Sequence, residues 1–518
     1  MRARNADGAG AREFHDRTAH SFQSIRASRH TLDWDNKPLP FKIYPDLPAV
    51  PLPRDLPALA ADVAPALIGG AVAASGLDLE RLAALLYYAA GVTKVKRYPG
   101  GGEVYFRAAA STGALYQTEV YLVTGALAGL PAGVYHFGPG DFALRRLREG
   151  DFRGALALAA AAEDLAASPA ILVLSGLYWR NTWKYQARGY RHLFWDSGTL
   201  LANLLAAAAA LGVPARLVTG FVDLEVNALL GLDAETEGAL VLAPLGIAGT
   251  SGPPSPVISP LDAATVPLSA SRVDYPLLVE AYRDSSLESE AEVAQWREEA
   301  GEPDSLPEPP ATSLVALPPP TPRMGRALGE TIERRGSTRE FSGESIDAER
   351  FSTALYHATR GVALDVPGRL VDLYLAVHAV DGIPPGAYAY HPDRHALETL
   401  ARGDVRADSA YLCLGQPLGG ASSATAFFLS DLRSVLARLG NRGYRLANLE
   451  AGIAGGRLYL GAYAQGFGAS GLTFYDRAVV EFFGPHAAGK DAIFVTALGR
   501  SVRGPAREPA PLQIHPKT

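Results

Sequence analysis

The chain has 518 residues, of which 48% are hydrophobic and 20% charged, a balance suited to a folded globular protein of about two to four domains. A formal charge of -6 supplies no basic face for nucleic acid. The single cysteine, Cys413, excludes an internal disulfide and a multi-cysteine metal centre, and its neighbours Tyr411, Leu412 and Leu414 suit a small buried residue.

Residues 1–20 are rich in Arg, Asp and His without an apolar run, so no signal peptide is expected, and residues 1–50 read as an N-terminal arm. Within it, residues 24–30 hold Arg26, Arg29 and His30 among serines, a weak anion-binding turn at best.

A first domain is expected over residues 51–250. It contains Arg107-Ala108-Ala109-Ala110-Ser111-Thr112-Gly113-Ala114-Leu115-Tyr116-Gln117-Thr118-Glu119-Val120-Tyr121, which runs into a strand at 120–123. Ser-Thr-Gly with small neighbours lets backbone approach a ligand and offers hydroxyl and N–H donors; a plain loop would read the same. Leu130-Pro131-Ala132-Gly133-Val134-Tyr135 predicts a Pro-Gly turn and an aromatic strand. Lys184-Tyr185 could move protons and orient a substrate, or be a surface lysine beside a packing tyrosine. After Arg188-Gly189-Tyr190-Arg191 the composition turns helical, rich in Ala and Leu. The longest apolar stretch, residues 200–212, includes Asn203 and is shorter than the ~20 residues a membrane span needs, so a cytoplasmic protein is expected.

Residues 251–323 predict an acidic and Pro-rich linker, extended except for a short helix near 291–299. A second domain is expected over 324–505 and a tail over 506–518. Its Arg335, Ser337 and Arg339 suit a phosphate clamp of forked guanidinium bonds and a hydroxyl, and equally a solvated basic turn. The domain closes on a buried strand ending in Gly499-Arg500.

These elements repeat. Residues 130–137 recur at 383–390, an offset of 253, with matching prolines, leucines and a Gly-Asp turn behind them. Arg188-Gly189-Tyr190-Arg191 recurs at an offset of 254 as Arg442-Gly443-Tyr444-Arg445, with Asp196 against Glu450 and Gly198 against Gly452. Two collinear matches at nearly one spacing indicate a tandem duplication. The copies have diverged unequally. Gly91 matches Gly361 at an offset of 270, so the second copy lacks 17 residues around the Ser-Thr-Gly segment. It also replaces Lys184-Tyr185 with Arg438-Leu439, whereas the first copy ends in Gly246-Ile247 and lacks the strong clamp.

Arg335-Gly336-Ser337-Thr338-Arg339 with Phe341 resembles the phosphate motif of nitroreductases, and residues 107–121, 130–135 and 184–191 are similar to segments of their SagB/ThcOx-type dehydrogenases. The resemblance implies an α+β fold, a helix-sheet-helix sandwich with a mainly antiparallel sheet, duplicated here as an intrachain pseudo-dimer that binds FMN at its seam. It implies one complete site. Arg335, Ser337, Arg339 and Arg500 would hold the phosphate, with Gly471 and Leu472 near the ring. Ser111, Thr112, Gly113 and Tyr116 would come from the other copy, with Lys184 and Tyr185 as catalytic residues. The reciprocal site would be degenerate. The implied activity is oxidation of azoline-like small or peptidic substrates by hydride transfer to FMN. NAD(P)H-dependent nitro or quinone reduction, or a flavin-binding scaffold in a peptide-modifying complex, are the alternatives. Ala110 and Gln117 stand where the dehydrogenase segment usually has proline, which loosens the substrate assignment. The Gly100-Gly101-Gly102 run lacks a P-loop lysine, and no His-Glu-x-x-His spacing occurs, so no metal is assigned.

Overall fold

Two antiparallel sheets and two long central helices carry the core. The computed structural model describes residues 4–69, 72–98, 102–249, 252–301, 313–362 and 364–502. In the first half the strands are β1 (Ala49–Pro51), β2 (Val92–Arg97), β3 (Glu103–Arg107), β4 (Thr118–Thr124), β5 (Gly133–Gly138), β6 (Ala143–Glu149), β7 (Ala170–Leu177) and β8 (Glu237–Leu245). In the second they are β9 (Leu314–Ala316), β10 (Asp372–Val377), β11 (Gly386–His391), β12 (Ala396–Arg402), β13 (Ala424–Ser430), β14 (Gly468–Gly471) and β15 (Asp491–Gly499). The sheet orders are β1-β6-β5-β4-β7-β8 and β14-β15-β13-β10-β11-β12-β9. Repeat-related strands therefore occupy the same places, β6-β5-β4-β7-β8 matching β12-β11-β10-β13-β15, as duplication requires. All eight residues of β7 are buried. A strand covered on both faces is apolar throughout rather than alternating.

The stretch in which the first half is 17 residues longer contains the paired strands β2 and β3. It lies between the helix Leu79–Ala90 and the strand β4, where the second half has a short connection from the helix Ala348–Thr359 to β10.

The central helices, Gly189–Leu211 and Arg442–Ala464, cross at the seam. Their closeness depends on glycine. A Cβ on Gly198 would fall 2.6 Å from the backbone of Gly452, and one on Gly452 would fall 2.5 Å from the carbonyl of Trp195. Across the crossing Trp195 Nε1 donates to Asn448 Oδ1 at 2.7 Å. The stretch 178–211 is long and apolar enough to cross a membrane by length and composition, because the preceding helix continues into the central one, but 83% of its most apolar window is buried inside the molecule.

Charge exchange reinforces the seam. Asp223 of the first half accepts from Arg442 and Arg445 of the second, each at 2.6 Å. Asp476 of the second accepts from Arg188 at 2.9 Å and Arg191 at 2.5 Å, both of the first. The repeated Arg-Gly-Tyr-Arg thus serves one purpose twice: each copy inserts two buried guanidiniums beneath the other's helix start. The two cations hold the Asp476 carboxyl well below its usual range despite its burial.

The flanking segments belong to the core. Phe14, from the arm's helix Ala9–Thr18, packs edge-on to Tyr190 at 5.1 Å and to Tyr444 at 5.9 Å. Between the halves, the helices Pro276–Asp284 and Glu290–Glu299 bury Leu278, Tyr282, Val293 and Trp296, so this part of the expected linker is packed rather than extended. The proline-rich residues 302–312 and the tail from 503 onward lie outside the described residues.

Candidate functional site

Asp196, on the first central helix, shapes the Ser-Thr-Gly loop. It accepts from Ser111 Oγ at 2.5 Å, the Thr112 N–H at 2.8 Å, Thr112 Oγ1 at 2.7 Å and Gln117 Nε2 at 2.7 Å. Ser111 Oγ in turn accepts from the Tyr116 N–H at 2.9 Å. Burial pushes the Asp196 carboxyl up to about 6, opposed by those donors. Gly113 takes φ 65°, and a Cβ there would stand 2.8 Å from the Tyr185 hydroxyl. Its missing side chain brings the loop against Tyr185.

Lys184 and Tyr185 end the helix Tyr178–Tyr185, which stops where Gln186 turns to φ 52°. Arg180 ties this helix to the loop: it pairs with buried Glu119 and donates to the Tyr116 carbonyl at 2.8 Å. Trp183 and Trp179 pack with Leu115 on the same face. The Lys184 ammonium lies 5.2 Å from the Tyr185 ring centre. Its pKa is lowered by burial first, then by the charges of Arg339 and Lys37. The Tyr185 ring meets His192 edge-on at 4.6 Å, and burial raises its hydroxyl pKa.

The second half enters through Arg335, at the end of the helix Leu328–Arg334. Its Nε donates to the Ala108 carbonyl at 2.9 Å and Nη2 to the Arg107 carbonyl at 3.0 Å. The predicted clamp and the predicted loop therefore touch. Ser337 Oγ shares a hydrogen bond with the Tyr459 hydroxyl at 3.2 Å, and the Gly471 N–H donates to that hydroxyl at 2.5 Å. The N–H of buried Leu472 donates to the Val495 carbonyl at 3.4 Å. Arg339 is exposed and has no hydrogen bond or ion pair among the described residues. Three cations from two halves, Arg335, Arg339 and Lys184, gather here, while the nearby carboxylate of Asp196 is committed to the loop. Arg500 is exposed and its Nε donates to the Ser345 carbonyl at 2.8 Å, while its own carbonyl accepts from the Ser342 N–H at 2.9 Å, three residues after Arg339.

A void of about 20 Å³ lies under the loop, lined by Ala110, Ser111, Tyr116, Asp196 and Leu200. A larger cavity of about 370 Å³ lies at the other end of the Lys184 helix, against Tyr178, Trp179, Thr182, Tyr275 and Leu278.

The reciprocal position is different. The helix matching Leu328–Arg334 is Val63–Leu67: Asp62 bridges Ala327, and the Leu328 N–H donates to the Ala61 carbonyl at 2.9 Å. By that bridge the first-half counterpart of the clamp falls at residues 70–74, which include no arginine, and not at residues 24–30, which lie in the arm around the helix Phe22–Ala27. The linker helix fills the rest. Trp296 Nε1 donates at 3.0 Å to the carbonyl of Leu439, the counterpart of Tyr185, and a Cβ on Gly220 would sit 2.7 Å from its ring. Arg297 donates to the Gly220 carbonyl at 3.3 Å and to Asp365 at 3.1 Å.

Of these residues Asp196, Arg180 and Trp296 escaped sequence reasoning. Asp196 left one trace, its alignment with Glu450, whose carboxyl accepts the N–H groups of Leu370 and Val371 ahead of β10.

Two duplicated α+β units packed along one seam form an intrachain pseudo-dimer. The nitroreductase family model matches the chain twice, over residues 73–247 and 332–499. A nitroreductase-like protein of Methanocaldococcus jannaschii is 30% identical over 173 residues, covering 33% of this chain and 82% of that protein. The crystal structure of a nitroreductase-like protein from Anabaena variabilis superposes with a TM-score of 0.76 at 28% identity, covering 96% of this chain and 100% of that one. The chain belongs to the nitroreductase family and is an oxidoreductase.

Proposed function

We propose that the protein is a cytoplasmic FMN-dependent dehydrogenase with one flavin per chain, oxidising azoline-like small or peptidic substrates. The convergence of Lys184 and Tyr185 with the second half's Arg339 carries this reading. The residues fit the cofactor. Arg335, Ser337 and Arg339 offer an anionic phosphate two guanidiniums and a hydroxyl, and among the described residues Arg339 has no carboxylate partner. Gly113 and Tyr116 leave a flat ligand close access to the first half, and the aromatic Tyr185 walls it. FMN, when bound, supplies the two-electron acceptor.

The chain supplies the proton chemistry. Converting an azoline to an azole removes one proton and one hydride equivalent. Lys184 Nζ takes the proton in its neutral form, and its lowered pKa enlarges that form near neutrality. Tyr185, its hydroxyl kept protonated by burial, orients the ring, and Asp196 holds the loop against it. Because the base must be uncharged, turnover rises with pH through the Lys184 pKa.

Lys184→Ala is expected to lower turnover of an azoline-containing peptide by about 100-fold or more with flavin content unchanged. Unchanged turnover would reject the role. Rapid bleaching of the bound flavin by NAD(P)H alone would favour nitro or quinone reduction. Bound flavin with no turnover of either substrate class would favour a scaffold.

A further inference from the structure

On the sheet of the second half three side chains converge, none of them among the residues proposed to hold the flavin. His391 on β11 and Glu398 on β12 are both buried, with His391 Nε2 and Glu398 Oε2 2.9 Å apart. His486, after the helix Asp476–Phe482, places its Nε2 3.4 Å from the same carboxylate oxygen. One ligand atom from each residue lies within 4.8 Å of the other two. His486 Nδ1 is fixed by a 2.9 Å hydrogen bond with the Tyr374 hydroxyl on β10.

We propose that His391, Glu398 and His486 form a divalent-metal site whose best-matched ion is zinc. The donor set is two imidazoles and one carboxylate, which zinc accepts with bonds of about 2.0–2.2 Å. Tetrahedral bonds of that length put ligand atoms about 3.4 Å apart. Of the two separations involving Glu398, 3.4 Å meets that figure and 2.9 Å falls about 0.5 Å short of it. The remaining pair, at most 4.8 Å apart, needs an adjustment of about 1.4 Å at the outside, and His486, with 29% of its side chain exposed, has room for it. Water completes the fourth position from the same exposed side.

Two further observations support a ligand here. Tyr374 is the kind of outer partner that metal-bound histidines have: with Nδ1–H donating to its oxygen, Nε2 presents a lone pair toward Glu398, which a cation between them would satisfy. Nor does the fold demand the cluster. The repeat-related positions of β5 and β6 hold Gly138 and Arg145, and Arg145 pairs with Asp141 instead. The other charges near His486, Asp372 and Lys490, pair with each other at 2.7 Å, so Glu398 remains the anion facing the site. A bound ion would fasten the β11–β12 hairpin to the segment after residue 482. The site is independent of the flavin assignment.

Equilibrium dialysis of the full chain against ZnCl₂ tests the proposal. The wild type should bind one zinc with an affinity that falls at least about tenfold in Glu398→Gln and in His486→Ala, and about tenfold in Tyr374→Phe. Cobalt(II) added to the wild type should give the visible absorption of a tetrahedral ion and lose it on addition of zinc, a readout that does not depend on how the variants fold. No zinc retained by the wild type, an affinity unchanged in Glu398→Gln and His486→Ala, or a purely octahedral cobalt spectrum would overturn it.

Discussion

Asp196 shows how one buried carboxylate fixes a functional loop. It gathers the Ser111 and Thr112 donors and Gln117 on one side chain, yet burial still drives its pKa above the ordinary 3.8, to about 6. The folded chain therefore holds this proton more tightly than the unfolded chain. The stabilisation is fully present below 3.8 and is lost as pH rises through about 6, a difference of about 3 kcal/mol. Asp196→Asn should remove that part of the pH dependence. Between about pH 4 and about pH 7 the wild type should then lose about 2 kcal/mol more stability than the variant, read by urea unfolding; equal losses would show that Asp196 does not ionise in this window. At this scale the sequence was partly legible. Arg335, the loop residues and Lys184-Tyr185 stand out as unusual chemistry in short runs. Asp196 does not, because an acid in an Ala- and Leu-rich helix declares its role only when residues 84 and 85 positions away fold onto it. The groups His391, Glu398 and His486 were invisible for the same reason: their spacing suits no short metal motif, and the sheet alone brings them together.

Among the elements, the central helices and the segments they clasp hold the halves in register. Asp476 faces two buried guanidiniums of the other half, Arg188 and Arg191, and Asp223 repeats the arrangement with Arg442 and Arg445. Removing the carboxylate strands both charges in a dry interface. Asp476→Ala should cost about 3–5 kcal/mol, read as a lowered urea midpoint. A cost under about 1 kcal/mol, the value of an exposed pair, would show that water reaches the arginines. The duplicated Arg-Gly-Tyr-Arg was evident in the sequence, but its purpose was not. Each motif's partner lies in the opposite copy, 285 or 219 positions away, and no local pattern marks an exchange. The residues between the domains misled for a related reason. The helix expected near 291–299 is present as Glu290–Glu299, but acidic and proline-rich composition hid the helix Pro276–Asp284 and the burial of Leu278, Tyr282, Val293 and Trp296.

For the molecule as a whole, duplication has been followed by division of labour. One seam position keeps the arginine clamp of the second half and the loop and Lys-Tyr pair of the first. In its mirror position the helix Glu290–Glu299 lays Trp296 against Leu439 and Gly220. The 17 missing residues and the absent clamp are legible in the sequence; the place of Trp296 opposite Leu439 is not. Flavin stoichiometry therefore tests the account most directly. After saturation with FMN and gel filtration, the ratio of flavin to chain by absorbance should be one, and should fall toward zero in Arg335→Ala combined with Arg339→Ala. A ratio of two, or full occupancy without those arginines, would contradict a single site shared between unlike halves.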